Sequence, residues 1–254
     1  MKEKKIKLYS KELNKDKIIR VYLPDDYSVD KKYRVLYFHD GQNIVRKSRW
    51  SKCSWEVDVA IKNLGISDLI VVGIDSDKDR DSEYCYLSVR FKNAEKVKII
   101  EPKAKKYADF LVNYVKPYVD YHFSTDSRYE STYLAGSSFG ATITSYISAL
   151  HKNVFSYLGI FSIANTFLDK HSLEYLESIG IDKKAKYFLA VGTNEVEEKM
   201  IKKYGNYYLK DFDNYYNFLS KLGVKNIDTH IYEGDFHSEI CWKNQLYDFL
   251  EPLK

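Results

Sequence analysis

Residues 133–141 read Tyr133-Leu134-Ala135-Gly136-Ser137-Ser138-Phe139-Gly140-Ala141, a stretch that contains the pattern G-x-S-x-G centred on Ser138. A short β-prone run, residues 131–135, precedes the pattern, and a run of helical length, residues 141–152, follows it. A tight turn between a strand and a helix holds such a serine in a strained backbone conformation, and the flanking glycines let the two elements approach without Cβ clashes. The stretch therefore predicts that Ser138 projects above the carboxyl end of a strand.

The rest of the chain alternates short apolar runs with longer runs of helical length. The predicted strands are residues 34–38, 69–74, 131–135, 157–161, 187–191 and 229–232. The predicted helices are residues 55–64, 104–123, 141–152, 172–179, 204–222 and 239–250. Near-continuous apolar strands indicate burial on both faces, so the alternation predicts an α/β three-layer sandwich with a mostly parallel sheet. Two further β-prone runs, residues 6–10 and 17–23, predict an N-terminal antiparallel hairpin at its edge.

The composition is that of a folded protein. The chain has 254 residues, of which 44% are hydrophobic and 16% aromatic, including 24 Tyr and 13 Phe. These fractions exclude intrinsic disorder. Because no low-complexity segment, internal repeat or Pro/Gly/Ser-rich linker divides the chain, we expect a single domain over residues 1–254.

Charge and cysteine content exclude several classes of partner. Lys and Arg number 40 against 36 Asp and Glu, and this scattered net charge of +4 predicts no nucleic-acid partner, although it slightly favours anionic small substrates. Cys53, Cys85 and Cys241 are far apart and lack metal-ligand spacing, so we expect no metal, cofactor or disulfide. The strongest apolar run, residues 69–74, is too short to span a bilayer, which predicts a cytoplasmic protein without a membrane partner.

A serine hydroxyl is a poor nucleophile at neutral pH and needs a base. His237 is the candidate, because it follows the predicted strand at residues 229–232 through a short loop and opens the last helix. The carboxylate that orients this histidine should follow the strand at residues 187–191, where Glu195 lies. Glu197 and Glu198 are close enough in sequence to remain alternatives. The other histidines considered, His122, His151, His171 and His230, either precede any plausible acid or lie inside a strand.

An acyl-transfer site also needs two hydrogen-bond donors for the oxyanion that forms when the serine attacks the ester carbonyl. Phe139 offers its backbone N–H at the amino end of the helix that follows Ser138. The second donor normally comes from the loop after an early strand, here His39-Asp40-Gly41-Gln42-Asn43. We expect Gly41 to allow an unusual turn that leaves the N–H of Gln42 free for the oxyanion; a plain surface turn is the alternative.

Together these segments resemble the Putative esterase family of the α/β-hydrolase fold. The resemblance runs from about Ile18 to Leu250 and is carried by residues 35–43, 71–75, the G-x-S-x-G pattern, residues 192–195, and His237 with Trp242. It implies that Ser138 is the nucleophile, Glu195 the acid and His237 the base, with Gln42 and Phe139 as the oxyanion hole. The family includes esterase D-type enzymes, feruloyl esterases, siderophore trilactone esterases and mycolyltransferases. Residues 75–91 keep only part of a family Arg and Glu-Tyr pattern, which leaves the substrate open.

These residues predict a serine carboxylic-ester hydrolase that works through an acyl-enzyme on a small-molecule ester. Aromatic side chains in the loops at residues 43–54, 76–103 and 164–170 could bind an aromatic acyl group, and the candidates are Trp50, Tyr84, Tyr86 and Phe167. In a chain with 24 Tyr such aromatics can equally be ordinary packing residues. An aromatic-acyl or siderophore-type ester is therefore one expectation. The alternatives are an acyltransferase of the mycolyltransferase type and a catalytically dead binding module.

Overall fold

A computed structural model describes residues 1–47, 53–92, 97–168 and 171–254. Within these residues the strands are β1 (Lys2–Ser10), β2 (Lys15–Leu23), β3 (Arg34–His39), β4 (Leu69–Ile74), β5 (Val89–Lys92), β6 (Val97–Ile100), β7 (Thr132–Ser137), β8 (Tyr157–Phe161), β9 (Lys186–Gly192) and β10 (Ile227–Tyr232). Eight of them form one sheet in the order β1-β2-β4-β3-β7-β8-β9-β10, while β5 and β6 pair separately. The sheet is parallel from β4 to β10, and β1 and β2 add an antiparallel hairpin at one edge.

Helices cover both faces of this sheet. They are α1 (Val57–Asn63), α2 (Arg80–Tyr84), α3 (Ala104–Phe110), α4 (Lys116–His122), α5 (Phe139–Leu150), α6 (Ser172–Ile179), α7 (Glu198–Tyr204), α8 (Tyr207–Lys221) and α9 (Glu239–Leu250). A π-helical turn, Leu111–Val115, joins α3 to α4, so the predicted helix at residues 104–123 is continuous but not uniform. The predicted α/β sandwich, its parallel sheet and its N-terminal hairpin are confirmed.

The two-sided burial of the strands follows from the alternation of side chains along each strand. In β3, Val35 and Tyr37 face one apolar cluster, whereas Leu36 and Phe38 face the other. The first cluster packs under α3, α5 and α8, and the second packs under α1 and α9. The central strands β4 and β7 are buried at every position, as the continuous apolar runs predict. The edge strand β10 has a neighbouring strand on one side only, and none of its residues is buried.

This topology determines where a site can form. The chain runs from β3 to β4 on one side and later enters β7 on the other side of β3. Ligands of open α/β sheets bind at the carboxyl ends of the strands, next to such a change of direction. The segments that follow β3, β7, β9 and β10 therefore meet at one edge of the sheet. Among the described residues, no helix has the length and apolar character needed to cross a bilayer.

Candidate active site

Ser138 lies at the turn between β7 and α5 with φ 57° and ψ −126°, a backbone conformation that a non-glycine residue rarely adopts. Its N–H donates to the carbonyl of Phe161 at 2.9 Å, which ties the turn to the neighbouring strand. A Cβ on Gly136 would lie 2.8 Å from the carbonyl carbon of Gly140, so the close approach of strand and helix requires glycine there. The strained turn predicted from the sequence is present.

The loop after β3 forms a short 3-10 turn, Gly41–Asn43, that contains Gln42. The left-handed conformation belongs to Asp40, with φ 55°, and not to Gly41 as the sequence suggested. Glycine is needed at position 41 for another reason. A Cβ there would lie 2.5 Å from the carbonyl carbon of Gly73 in β4. The loop can therefore lie directly against the sheet.

Two side-chain interactions fasten this loop. The Arg80 guanidinium binds both carboxylate oxygens of Asp40, at 2.7 and 2.8 Å. Burial alone would raise the pKa of Asp40, but the adjacent Arg80 holds it below its ordinary value. The Gln42 side-chain amide donates to Ser76 Oγ at 2.8 Å and accepts from the Ser76 N–H at 2.9 Å. The backbone of the 3-10 turn is thereby held in one position.

His39, at the end of β3, lies underneath the Ser138 turn. It is 1% exposed, its Nδ1 is 2.8 Å from the Tyr107 hydroxyl, and a Cβ on Gly136 would lie 2.9 Å from its Cδ2. Burial lowers its pKa to about 3, so this imidazole stays neutral at physiological pH. His39 therefore supports the turn as an uncharged packing residue.

Glu195 is the one of the three candidate acids that meets His237. Its Oε2 lies 2.8 Å from His237 Nδ1, and its side chain has no exposed surface. Its Oε1 accepts from the N–H of Gly192 at 2.7 Å. Glu197 and Glu198 instead point into solvent, with side chains 71% and 84% exposed, and form ion pairs with lysines on their own segment.

The acid loop and the histidine loop are joined along their backbones. The N–H of Thr193 donates to the carbonyl of Tyr232 at 3.0 Å, and that of Asn194 donates to the carbonyl of Asp235 at 2.9 Å. A Cβ on Gly192 would lie 2.3 Å from this Asp235 oxygen, so glycine is required where the two loops meet. These contacts set the distance between Glu195 and His237.

Ser162 and Trp242 extend the pair into a buried network. Ser162 follows β8, is fully buried and has φ 52°. Its hydroxyl donates to Glu195 Oε1 at 2.5 Å and accepts from Trp242 Nε1 at 2.8 Å. In the sequence, Trp242 belongs to the family resemblance, whereas Ser162 lies in no motif and could not be predicted.

Tyr208, in the first turn of α8, is a second residue that sequence analysis missed. Its ring stacks on the imidazole of His237, with centroids 4.2 Å apart and planes 20° apart. Its hydroxyl lies 3.3 Å from His237 Nε2. Among 24 tyrosines nothing in the local sequence distinguishes this one.

The predicted substrate-binding aromatics have different environments. Trp50 lies outside the described residues. Tyr84 has no exposed surface and accepts a hydrogen bond from the Asp40 N–H, so it supports the loop after β3 from below. Tyr86 is buried and stacks on Tyr146 at 5.1 Å. Phe167 is half-buried and packs edge-on against Phe139, beside the serine turn.

One group of carboxylates has the spacing of a metal site. Asp77, Asp79 and Glu83 each offer an oxygen within 4.8 Å of the others. The ammonium of Lys15 contacts all three, and that of Lys17 lies 2.8 Å from Glu83. Two ammonium groups thus offset most of their negative charge within the protein.

Comparisons with known proteins identify the family and the fold of the chain. A family profile described as "Putative esterase" matches residues 10–249. The chain is 26% identical over 194 residues to the uncharacterized protein YjcH of Bacillus subtilis (strain 168), a match that covers 75% of this chain and 72% of YjcH. An IroE-like serine hydrolase from Shewanella oneidensis has a similar structure, with a TM-score of 0.75 and 20% identity over 99% of this chain and 80% of that chain.

A third similar protein is the enterobactin esterase FES of Shigella flexneri, with a TM-score of 0.74 and 16% identity. The match covers all of this chain but 60% of the FES chain. At these identities the structural likeness shows the fold alone, and it confirms the α/β-hydrolase fold. Because the profile match spans nearly the full length of the sequence, the chain belongs to the Putative esterase family.

Proposed function

We propose that the chain is a serine carboxylic-ester hydrolase in which Ser138, His237 and Glu195 form the catalytic triad. Membership of the Putative esterase family supports the hydrolysis of esters. One observation carries the finer assignment. An imidazole bound to a buried carboxylate lies at the sheet edge that also holds a serine in a strained strand-to-helix turn. This combination of groups activates a hydroxyl for acyl transfer.

In the proposed mechanism, Ser138 Oγ attacks the ester carbonyl while its proton passes to His237 Nε2. Glu195 keeps the other ring nitrogen protonated and stabilises the imidazolium that forms. The carbonyl electron pair moves to oxygen, and the backbone N–H groups of Gln42 and Phe139 bind this oxyanion. The imidazolium then protonates the departing alkoxide. Water, activated by the same histidine, releases the acid from the acyl-enzyme.

The proposed substrate is a small ester with an aromatic or siderophore-type acyl part. The serine turn is flanked by Phe139 and Phe167, and Tyr207 packs edge-on against Phe167 at 5.4 Å. Aromatic rings next to a reactive serine favour a flat, apolar acyl group. The structure of FES was determined in the presence of 2,3-dihydroxy-N-benzoyl-glycine, which contains an aromatic acyl group, and the net charge of +4 suits an anionic ester.

The first test is Ser138→Ala, because removal of the nucleophile should lower kcat by roughly 10⁴-fold to 10⁶-fold and leave the fold unchanged. Hydrolysis is measured on p-nitrophenyl acyl esters, methyl ferulate and a catecholate trilactone, with a competing alcohol present to reveal any acyl transfer. A fluorophosphonate probe should label position 138 in the unaltered protein and not in the variant.

Ser137→Ala is the matched control, since Ser137 is the neighbouring serine of the same motif and is 7% exposed. We expect it to keep both labelling and turnover. Turnover that persists in Ser138→Ala would remove this serine from the mechanism. A folded, unaltered protein that is not labelled would identify a binding module instead of an enzyme.

A further inference from the structure

A cavity of about 320 Å³ lies between the 3-10 turn Asn165–Phe167 and the helices α6 and α8. Most of the side chains that line it are polar, and the apolar ones are Leu168 and Leu173. Pockets for small molecules are usually lined mainly by apolar side chains. The polar lining therefore indicates a ligand that is itself polar. The proposed mechanism uses none of these side chains.

Asn165 follows β8 and lines this cavity. It is 7% exposed, and among the residues that the structure describes neither its amide nitrogen nor its amide oxygen has a hydrogen-bond partner. An unpaired buried amide destabilises a folded protein, and native proteins keep few such groups. A bound group that accepts from the nitrogen and donates to the oxygen would remove this cost. The free amide therefore indicates a ligand with both kinds of hydrogen-bonding group.

Asp211 of α8 places a carboxyl group close to this asparagine. It is 6% exposed, and its Oδ2 accepts from the N–H of Thr166, the residue after Asn165, at 2.5 Å. Burial raises the pKa of Asp211 to about 7, which shows that its surroundings disfavour charge. They favour a neutral ligand over an ionic one for the same reason. A protonated carboxyl group both donates and accepts, as the amide does.

The size of the cavity limits the ligand to about one ring. Because a water molecule takes up about 30 Å³ in the liquid, the 320 Å³ of the cavity hold about ten non-hydrogen atoms. Lys210 and Asn214 belong to the lining and are exposed, and exposed side chains change rotamer within nanoseconds. A small molecule can therefore reach the buried amide and carboxyl group from solvent.

We propose that this cavity binds a neutral polyhydroxylated group of the size of one sugar ring, held by the side chains of Asn165 and Asp211. Every hydroxyl both donates and accepts, so two adjacent hydroxyls can pair with the amide and the carboxyl group at once. The group belongs to a free polyol or to the alcohol part of the ester. The second source is considered because Phe167, in the turn that forms one wall, packs against Phe139 beside the serine. Only that source rests on the proposed esterase function.

Ligand-observed NMR tests the site on the unaltered protein. The probes are myo-inositol, methyl α-D-glucoside and glycerol, with cyclohexanol as the compound that has a single hydroxyl. We expect at least one of the three polyols to bind more tightly than cyclohexanol. Asn165→Leu should weaken this binding by about 10-fold, because the polyol loses its partner for one donor and one acceptor. Asn165→Ala removes the amide without filling the cavity and should have a similar effect.

The fold of these variants is checked by thermal unfolding. Asn165→Leu keeps a similar side-chain volume and removes no hydrogen bond of the Asn165 amide, so it should be at least as stable as the unaltered protein. Asn226→Leu is the matched control. Asn226 is exposed and precedes β10, at the end of the sheet opposite to the site. It should bind the polyol as the unaltered protein does.

Ester kinetics distinguish the two sources of the hydroxyls. If they belong to the ester, kcat/KM should be about 10-fold higher for methyl 6-O-acetyl-α-D-glucoside than for cyclohexyl acetate, and Asn165→Leu should abolish this preference. If the ligand is a free polyol, the two esters should react alike while the difference in NMR binding remains.

Two results overturn the proposal. One is the failure of all three polyols to bind the unaltered protein more tightly than cyclohexanol. The other is equal binding by the unaltered protein and the folded Asn165 variants. Neither result affects the proposed esterase function, which the labelling of Ser138 tests separately. If Ser138 is not labelled, the esterase function is wrong, and the binding of the free polyols still decides whether the cavity is a site.

Discussion

At the scale of single residues, one hydroxyl joins two buried groups of the site. The Ser162 hydroxyl accepts a hydrogen bond from the Trp242 indole N–H and donates one to Glu195. Glu195 is in turn hydrogen-bonded to His237. Ser162→Ala would leave the indole N–H without a partner and Glu195 with one donor fewer. We expect a loss of about 1–3 kcal/mol in the free energy of unfolding. The loosened carboxylate should also lower kcat/KM by about 10-fold to 100-fold.

Urea denaturation and ester kinetics together check this prediction. Ser131→Ala is the matched control, since Ser131 is also a buried serine that donates to a carboxylate, Asp126, but lies at the opposite end of β7. Ser131→Ala should lower the free energy of unfolding and leave kcat/KM unchanged. If Ser162→Ala is as active as the unaltered protein, the hydroxyl has no part in holding Glu195.

The sequence could predict the site residues that lie in a motif or that follow a predicted strand in the expected order along the chain. Ser138 has its glycines, and Glu195 and His237 follow predicted strands in the expected order. Ser162 and Tyr208 have neither, because their role exists only through contacts 33 and 29 residues away along the chain. The need for glycine at position 41 was likewise not visible in the sequence, since its close neighbour Gly73 lies on a separate segment, the strand β4.

At the scale of elements, a buried ion pair connects the N-terminal hairpin to α2. Lys17 of β2 lies 2.8 Å from Glu83 of α2, and their side chains are 1% and 0% exposed. Removal of one partner leaves the other charge buried without compensation, so Lys17→Met should lower the free energy of unfolding by about 3–5 kcal/mol. Lys15 also contacts Glu83, which places the expected loss toward the lower end of that range.

Chemical denaturation of Lys17→Met and Lys7→Met measures this contribution. Lys7 of β1 forms an ion pair with Asp16, but its side chain is 65% exposed. Exposed pairs contribute about 1 kcal/mol or less, so the control should be nearly neutral. Equal losses in the free energy of unfolding for the two substitutions would show that the buried Lys17–Glu83 pair stabilises the protein no more than an exposed pair does.

The elements that sequence analysis did not predict are short or strongly charged. The α2 sequence Arg80-Asp81-Ser82-Glu83-Tyr84 has a single apolar residue, and α7 has no buried residue at all. An apolar period cannot reveal such segments, since they have too few buried apolar residues to show one. Yet α2 supplies Arg80, which holds Asp40 beside the 3-10 turn that contains Gln42. The unpredicted element thus supports a predicted site.

At the scale of the whole molecule, the alternation of strands and helices sufficed for the fold class because the central strands bury both faces. The alternation could not specify how the loops of His237 and Glu195 join, since the hydrogen bonds between them link backbone groups that are distant in sequence.

Asp211 of α8 becomes buried only when the folded protein assembles around it. It is 6% exposed, accepts from the Thr166 N–H at 2.5 Å, and burial raises its pKa from 3.8 to about 7.

Between pH 3.8 and about 7 the folded protein therefore keeps a proton on Asp211 that the unfolded chain has already released. Because the folded state binds more protons in this window, its free energy of unfolding should fall as the pH rises and level off above pH 7. Asp211→Asn does not titrate. Its stability relative to the unaltered protein should rise from pH 4 to pH 8 by an amount on the order of 1–4 kcal/mol. Urea denaturation at several pH values measures this difference, with the exposed Asp213→Asn on the same helix as control. A difference that is constant with pH would mean that Asp211 ionises in the folded protein as readily as in the unfolded chain.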